Sequence, residues 1–441
     1  MKKFFVPVSF AAIGAVSVHA ATYGPDITAM DASKIWSVSG SLRGFYDSNY
    51  QTSHVAQGSW GFEVSPSLSL LVPLQQTELG LRYTYGLYYY TYRASHNQNP
   101  IDQSHEADLW IDHAFTERLE GRIQDTFVYS QEPSLSVTAS PLPYRTDQNS
   151  LQNLGTVSSH MEWTGLFSTD LSYQNTLVQY ANSGTTELGL LAGTQQPSLA
   201  GYLNTLGQSI SLHLNYQYTP DLSFLVGYQF GIVKYTANEP IGLIKIHGVF
   251  TGRFYNSSNL NNYSNYGYVG GNYEILGNLQ ALAYAGIQYV SNDNLPSGTS
   301  QDESSLEPYA NVAITYTYLP GDYIQAGFTQ STSTSDTPDP DVTTGSLTTY
   351  QETSVLYASI NHQITPFLLG SVVARWQDGS YHGGASDGTS QKWYSLGVDL
   401  SYQFNEHLSA DLGYSFDYVT AAAGLESYNR SRVYLGATAA F

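Results

Sequence analysis

The sequence predicts an all-β fold, a transmembrane antiparallel up-and-down β-barrel of about 18 strands (16–18), with short periplasmic turns and long extracellular loops. Three observations predict this fold. Apolar and polar residues alternate with a period of two along most of the chain, as in strands with one apolar face. Short turns alternate with long polar segments, an asymmetry of outer-membrane barrels. Charged residues make up only 12% of the chain, which is rich in tyrosine (38 residues) and glycine (39 residues).

Residues 1–20 have the features of a secretory signal peptide. Lys2 and Lys3 form the charged start, an apolar run follows, and Val18-His19-Ala20 fits a small-x-small cleavage site. Its removal takes away two of the 16 basic residues and none of the 36 acidic ones, so the formal net charge becomes −22. That sign disfavours a nucleic-acid partner. The chain has no cysteine, which excludes a disulfide framework and thiolate metal sites.

The remaining chain divides into a short periplasmic N-terminal segment, residues 21–33, and an outer-membrane β-barrel, residues 34–441. No stretch after Ala20 approaches the ~18 consecutive apolar residues of a spanning helix. Only helices and closed barrels satisfy their backbone hydrogen bonds in lipid, so a membrane form of this chain must be a barrel. The first strand is expected from Lys34, with Trp36, Val38 and Leu42 on its apolar face.

Eight tight turns then recur at intervals that two spanning strands and one long loop would fill. Their Pro, Gly, Asn and Asp residues supply turn geometry. The predicted turns are Pro73–Gln76, Phe115–Arg118, Gly165–Asp170, Tyr218–Asp221, Glu274–Asn278, Tyr318–Asp322, Ile364–Phe367 and Phe404–His407.

Long polar segments between these turns are the expected extracellular loops. They are Asp47–Ser59, Ser95–Gln103, Gln131–Thr156, Ala181–Gly207, Thr236–Asn261, Ser291–Glu307, Ser331–Tyr350, Gln377–Gln391 and Thr420–Ser427. One first strand, eight hairpins and one last strand give about 18 strands. The segment Ala237–Asn261 leaves the number of strands open between 16 and 18, because its stretch IGLIKIHGVF fits a loop strand, a constriction loop or a wall strand. A barrel of this size leaves an aqueous channel.

The hairpin Trp393–Tyr418 shows the alternation most clearly. Leu396, Val398 and Leu400 share an apolar face, and the opposite face carries Asp399 and Asp411. Unpaired carboxylates are costly to bury in a packed core, so this face suits water inside a barrel better than the interior of a soluble sheet. Parity across the turn favours a three-residue loop, 405–407. Trp36, Trp60, Trp376 and Trp393 lie at predicted strand ends, where aromatic side chains meet headgroups.

The last strand, Tyr434–Phe441, resembles the C-terminal assembly signal of bacterial outer-membrane proteins, and Gly436 and Phe441 match that signal in position. Ala437 and Ala439 are smaller than the usual residues, so recognition by the barrel assembly machinery would be weaker. Gly61–Leu70 and Asp112–Phe127 are similar to the putative β-barrel porins. The likeness covers the layout of the mature chain; it implies a barrel and says little about the solute.

Charged residues on the predicted inner face cluster in the first five strands. Three arginines could form a basic ladder opposite acids and set selectivity; alternatively, these charges only pair across the wall. The predicted pore-lining residues are Arg43, Glu63, Arg82, Asp108, Asp112, Glu120, Arg122, Asp399 and Asp411. Asp125 falls on the outer face, which requires either an interfacial position or a bulge.

Two other chemistries have weaker support. Asp336, Asp339 and Asp341 could offer oxygen ligands to calcium, although such a run is more often a solvated loop. His105, Glu106 and Asp108 are the nearest approach to an acid–base set, but parity separates His105 from Asp108 and no nucleophile is identifiable. No catalytic, cofactor or metal site is therefore predicted.

The function expected is a porin-like channel for passive diffusion of small hydrophilic solutes in the bacterial outer membrane, with a weak preference for cations. The alternative is a barrel that serves polysaccharide export or surface adhesion through its long loops. Expected partners are outer-membrane lipids, the assembly machinery and small solutes. Association into a homo-oligomer stays open, because the sequence shows no face for it.

Overall fold

The computed structural model describes residues 34–131, 145, 149–292, 294–296, 304–335, 337, 339–421 and 427–441. The signal peptide and residues 21–33 lie outside the described residues, so both stay predictions. In the described part, no helix is both long and apolar enough to cross a membrane.

Eighteen antiparallel strands form one continuous closed sheet, which confirms the predicted fold. The wall strands are β1 Trp36–Asp47, β2 Ser59–Pro73, β3 Thr77–Tyr90, β4 Ile101–Ala114, β5 Leu119–Ser130, β6 Ser150–Glu162, β7 Phe167–Tyr180, β8 Thr205–Thr219, β9 Leu222–Tyr235, β12 Asn262–Leu276, β13 Leu279–Ser291, β14 Ser304–Leu319, β15 Asp322–Thr334, β16 Tyr350–Thr365, β17 Leu368–His382, β18 Ser390–Asn405, β19 Leu408–Thr420 and β20 Tyr428–Ala440. Each wall strand pairs with the next wall strand along the chain, so that β9 pairs with β12, and β20 closes the barrel by pairing with β1.

The remaining elements lie in the long loops. Strands β10 (Pro240–Ile246) and β11 (Val249–Asn256) form a separate hairpin, so the uncertain segment 237–261 is a loop hairpin and not part of the wall. The short helices are α1 Thr91–Ser95, α2 Glu187–Leu191, α3 Leu199–Leu203 and a 3-10 turn at Ser257–Leu260. Several wall strands extend into segments predicted as loops; β6, for example, begins at Ser150.

All eight predicted turns connect consecutive wall strands. The three-residue loop predicted at 405–407 takes a different form, because Asn405 pairs with Leu408 and only two residues lie between the strands. The extra residue, Phe404, sits in β18 where the register shifts between Gln403 and Asn405. This bulge keeps Phe404 and Leu408 on the exposed face, as parity requires. Similar shifts precede four other turns.

The two faces of the wall differ in chemistry. Large apolar side chains on one face are exposed, whereas many polar side chains on the other face are buried. Side chains of strands that are not neighbours meet on the polar face: Gln288 of β13 donates to the backbone oxygen of Thr332 in β15 at 2.7 Å. The polar face is therefore the inner one. The outer face carries an apolar surface of the kind that contacts lipid in membrane barrels.

One aromatic assignment was wrong. Trp393 was expected at the membrane interface, but it lies on the inner face and is buried. Its ring Nε1 donates to Asp417 at 2.9 Å, and the Arg375 guanidinium lies 4.7 Å from its ring centroid. The hydrogen bond to Asp417 and the cation–π contact with Arg375 hold the indole inside the barrel.

Candidate functional site

The strand register places all nine predicted pore-lining residues on the inner face. Arg43 lies opposite Glu63, Arg82 opposite Asp108, and Asp112 opposite Arg122. Glu120 shares this face with Arg122 on β5, and Asp399 and Asp411 are diagonal neighbours on β18 and β19. Whether these side chains line a conducting pore stays a prediction.

Arg43 lies at the seam where β20 closes the barrel against β1. Only 2% of its surface is exposed, and its guanidinium lies 4.7 Å from the centroid of the Tyr434 ring. The Tyr434 hydroxyl donates to the carboxylate of Asp399. Thr438 donates to the nearby Asp411 at 3.2 Å. Arg43 and Asp399 thus meet through Tyr434, which the prediction omitted, and Asp411 lies near enough to act on Asp399 by its charge.

A second network lies above the first, towards the loops, and is centred on the carboxylate of Asp47. Asp47 is fully buried and accepts from Arg430 Nε at 2.9 Å and from Arg432 Nε at 3.2 Å. The backbone NH of Asn49 also donates to it at 3.0 Å. The Arg432 guanidinium lies 5.4 Å from the centroid of the Phe45 ring. Charge pairing and stacking therefore fix two arginines against the inner wall.

A third carboxylate, Asp102 of β4, binds two arginines from loops. Arg93 of α1 lies 2.8 Å from it, and Arg145 also pairs with it. Both guanidinium groups lie over the Tyr90 ring, at 4.5 and 5.1 Å from its centroid. We call the residues of these three networks the seam cluster. They lie on β1, β4, β18, β19 and β20 and in two loops: Arg43, Asp47, Arg93, Asp102, Arg145, Asp399, Asp411, Arg430, Arg432 and Tyr434.

The other predicted ion pairs lie closer to the short turns and are more exposed. Arg82 binds Asp108 at 2.7 Å, and Thr126 donates to the same carboxylate at 2.9 Å. Arg122 lies 3.5 Å from Asp112, with 44% of its side chain exposed. These pairs leave charged atoms open to solvent inside the barrel.

Exposure on the inner face falls from the turns towards the loops. On β5 the inner-face residues near the turn are exposed, and those near the loop are buried. Strands β16 and β18 show the same trend. On β5 the exposed set is Glu120, Arg122 and Gln124, and the buried set is Thr126, Val128 and Ser130. Along these three strands, the inner wall is buried on the loop side and open to solvent on the turn side.

Packed loops account for part of this burial. The β10–β11 hairpin, the 3-10 turn, α3 and residues 339–349 form what we call the loop cap. Its apolar centre contains Tyr235, Ile241, Ile244, Tyr255, Leu260 and Leu347. His247 N donates to Thr343 O at 2.9 Å, which ties the hairpin to the loop between β15 and β16. Val233, an inner-face residue of β9, packs against this centre, so the cap lies against the inside of the wall.

One titratable group helps to hold the loops together. Glu239 accepts from Ser198 Oγ at 2.6 Å and from the backbone NH of Gly184 at 2.7 Å. Burial opposes its ionisation, but these hydrogen bonds and those from Thr185 outweigh burial and hold the pKa of the carboxyl below its usual value. Burial raises the pKa of Tyr255 in the cap to about 12.

The structure also places the residues of the two weaker hypotheses. His105 lies on the outer face and contacts the Tyr83 hydroxyl at 2.8 Å, away from the inner-face Asp108. Asp336 lies outside the described residues. Asp339 and Asp341 accept hydrogen bonds within the loops, from Ser386 and from Thr343 N. Among the described residues, no three His, Asp or Glu side chains are grouped as metal ligands.

Sequence reasoning missed the arginines of the last strand and of two loops. Asp47 and Arg430 are 383 residues apart in sequence and meet only because β20 pairs with β1. Arg93 and Arg145 lie in segments where no strand parity applies. The available signal was the closure itself: the first and last strands of an up-and-down barrel must be neighbours, so their inner-face charges must meet.

Comparison with known proteins gives one family match. Residues 318–441, from the end of β14 to the C-terminus, match the family described as Putative beta-barrel porin 2. No curated protein matches the sequence.

Several solved protein structures are similar to this chain at low identity. OccAB4 of Acinetobacter baumannii is 12% identical, with 92% of this chain and 99% of that chain covered and a TM-score of 0.44. A mutant of the ferric enterobactin receptor of Pseudomonas aeruginosa is 11% identical, with 92% and 81% covered and a TM-score of 0.45.

The FrpB iron transporter of Neisseria meningitidis is 9% identical, with a TM-score of 0.43. The match covers 90% of this chain but only 62% of that chain. Identities of this size carry no information on solute or activity. The chain is an outer-membrane-type β-barrel, and its residues 318–441 are similar to the family described as Putative beta-barrel porin 2.

Proposed function

We propose that this protein is a porin-like channel of the bacterial outer membrane that passes small hydrophilic solutes by passive diffusion. The observation that carries the proposal is the solvent-exposed charge on the inner face of a closed 18-stranded wall. Glu120, Arg122 and Gln124 remain exposed there although they point inwards. A lumen that keeps such side chains hydrated holds water, and a barrel of this strand number is wide enough to conduct.

The predicted secretory signal and the apolar outer face support an outer-membrane location, and nothing in the proposal requires catalysis. Conductance is limited, in this proposal, by the loop-side half, where the loop cap and the seam cluster occupy the inner wall. The turn-side half offers little resistance.

Planar-bilayer recording with the purified full-length protein tests the proposal. We expect discrete conductance steps in KCl. Absence of steps above the detergent background, from protein whose heat-modifiable migration shows a folded barrel, would overturn it.

Charge selectivity is the finer part of the proposal. The seam cluster brings five arginines against four carboxylates, although the whole chain carries a formal charge of −20. Arg122 adds a further exposed cation in the open half. Side-chain rings of one sign set the selectivity of water-filled pores. We therefore expect a weaker cation preference than the net charge alone suggests.

A charge reversal inside the lumen tests this expectation against a matched reversal outside. Arg122→Glu should move the zero-current potential in a KCl gradient towards cation selectivity. Lys234→Glu makes the same change in net charge on the outer face of β9 and should leave that potential unchanged. Equal shifts in both variants would show that Arg122 does not act on permeating ions.

A surface scaffold that serves polymer export or adhesion is the second candidate, and one observation favours it. The loop cap has its own apolar centre, in which Ile241, Tyr255 and Leu347 are almost fully buried. Loops that only shield a pore do not need such a centre. Under this alternative, deletion of the gene removes a surface polymer or adhesion, and the purified protein shows no conductance steps.

A further inference from the structure

Four polar side chains interrupt the apolar outer face on four neighbouring strands. They are Asp125 of β5, Asn153 of β6, Asn175 of β7 and Gln208 of β8, and we call them the outer-wall polar patch. The strand register gives their positions: Asp125 lies opposite Gly155, Gly155 opposite Asn175, and Asn175 opposite Gln208. No register shift occurs in the pairings of β5, so a bulge does not explain why Asp125 faces outwards.

The patch lies within the apolar band and not at its edge. Same-face neighbours on either side of Asp125 are Ile123 and Phe127, and those of Gln208 are Leu206 and Ile210. Asp125 is six residues along the strand from Leu119. At about 3.3 Å per residue and a tilt of about 40°, that is roughly 15 Å of height in an apolar band about 25 Å tall.

Polar groups at this depth are costly when they face hydrocarbon alone. Asn153 Nδ2 donates to Asp125 Oδ1 at 2.9 Å, which provides one partner for the carboxylate. Asn175 and Gln208 offer amide groups that both donate and accept. Elsewhere on the wall, the outer faces of β13 and β14 carry apolar residues such as Ile287 and Val312.

We propose that the outer-wall polar patch is the contact face for a second copy of this chain. Two copies in one membrane share their orientation, so the β5 side of one patch can face the β7–β8 side of the other. Asp125 of one copy would then accept hydrogen bonds from the Asn175 or Gln208 amide of its neighbour. Gly155, which lies opposite both Asp125 and Asn175, adds no side chain of its own to this face, and small residues are common where membrane segments approach closely.

Site-specific crosslinking tests the face directly, because the chain has no cysteine of its own. Asn175→Cys is placed in the patch, and Ile287→Cys, on an exposed outer-face residue of β13, is the matched control. Full-length protein is reconstituted at low density in phosphatidylethanolamine–phosphatidylglycerol liposomes and treated with a short bis-maleimide. We expect crosslinked dimers from Asn175→Cys and none from Ile287→Cys. Crosslinking at both positions or at neither would overturn the proposal.

A second measurement does not depend on an introduced cysteine. Light scattering of the unmodified protein in detergent should give a mass above that of the 48.4 kDa chain with its bound detergent subtracted. Asp125→Leu should lose that association, although it makes the wall more apolar. A monomeric wild-type protein, or an Asp125→Leu variant that stays associated, would mean that the patch faces lipid in a single barrel.

Discussion

At the scale of single residues, Gly436 leaves space for the Arg43 side chain because it has no Cβ. A Cβ at this position would lie 2.4 Å from Arg43 Cγ and 2.9 Å from the backbone oxygen of Leu42. The match of Gly436 to an assembly signal thus has a second physical reason, in the folded barrel itself. Phe441, the other matched residue, is exposed on the outer face and stacks on His407 with 5.4 Å between ring centroids.

We expect Gly436→Ala to lower the free energy of unfolding by about 1–3 kcal/mol, because the methyl group displaces a buried arginine. Gly397→Ala is the control on the same inner face, since a Cβ there meets nothing within 4 Å. Urea unfolding of protein refolded in detergent measures both without the assembly machinery. A loss confined to Gly397→Ala, or absent from both variants, would contradict the packing argument.

The two kinds of inner-face carboxylate should respond differently to removal. Asp47 is fully buried between Arg430 and Arg432, so Asp47→Ala leaves buried cations without their carboxylate and should cost about 3–5 kcal/mol. Asp108 pairs with a half-exposed Arg82, so Asp108→Ala should cost less than about 1 kcal/mol. The same urea titration compares them, and a reversed order would show that burial does not set the strength of these pairs.

At the scale of elements, the period-two alternation predicted the wall strands well. A shift of one residue would exchange the two faces of a strand, so the apolar pattern of each strand fixes which of its residues face outwards. All eight turns were found, and five of them follow a register shift in the preceding strand. Elements without period-two alternation could not be predicted this way. The β10–β11 hairpin is stabilised by packing against Leu347, about a hundred residues further along, and no local pattern contains that contact.

The site was predicted only in part for a similar reason. Parity assigned Arg43, Asp399 and Asp411 to the inner face, but parity does not say which strands are neighbours. The partners Arg430 and Tyr434 come from barrel closure. The position of Trp393 at a strand end suggested the membrane interface, but its parity along β18 places its side chain on the inner face.

The loop contact at Glu239 should depend on pH. Its pKa is held below the usual 4.5, so the stabilisation by the ionised carboxylate is fully present above that pH and is lost as pH falls through the lower pKa of the folded protein. We expect the amides of Gly184 and Thr185 to exchange progressively faster as pH is lowered from about 5 to about 2.5, after correction for intrinsic rates. Hydrogen exchange followed by mass spectrometry measures this.

Glu239→Gln should remove this pH dependence, because its amide cannot ionise. Glu117→Gln, in a turn at the other end of the barrel, should retain it. Equal exchange profiles in the two variants would show that another group controls the loop.

At the scale of the whole molecule, the barrel combines a conventional wall with a loop-side half that is packed almost like a soluble protein. The cap is held by an apolar centre, so a charge placed in that centre should release it without harming the wall. Ile244→Asp buries a carboxylate among apolar residues, which is unfavourable by several kcal/mol.

We expect Ile244→Asp to raise single-channel conductance at least twofold, because the cap no longer fills the loop-side lumen. Val342→Asp makes the same charge change at an exposed position in the same cap and should conduct like the wild type. Unchanged conductance in a folded Ile244→Asp barrel would place the narrowest point elsewhere.

The fall in exposure along the inner face has a consequence for sieving. If the lumen is wider at the turns than at the loops, the size of solute that can enter depends on the side of the membrane from which the solute arrives. Neutral polymers of intermediate size added at the periplasmic rim should partition into the wide end and lower the ionic current. The same polymers added at the outer rim should be rejected at the surface and leave the current unaltered.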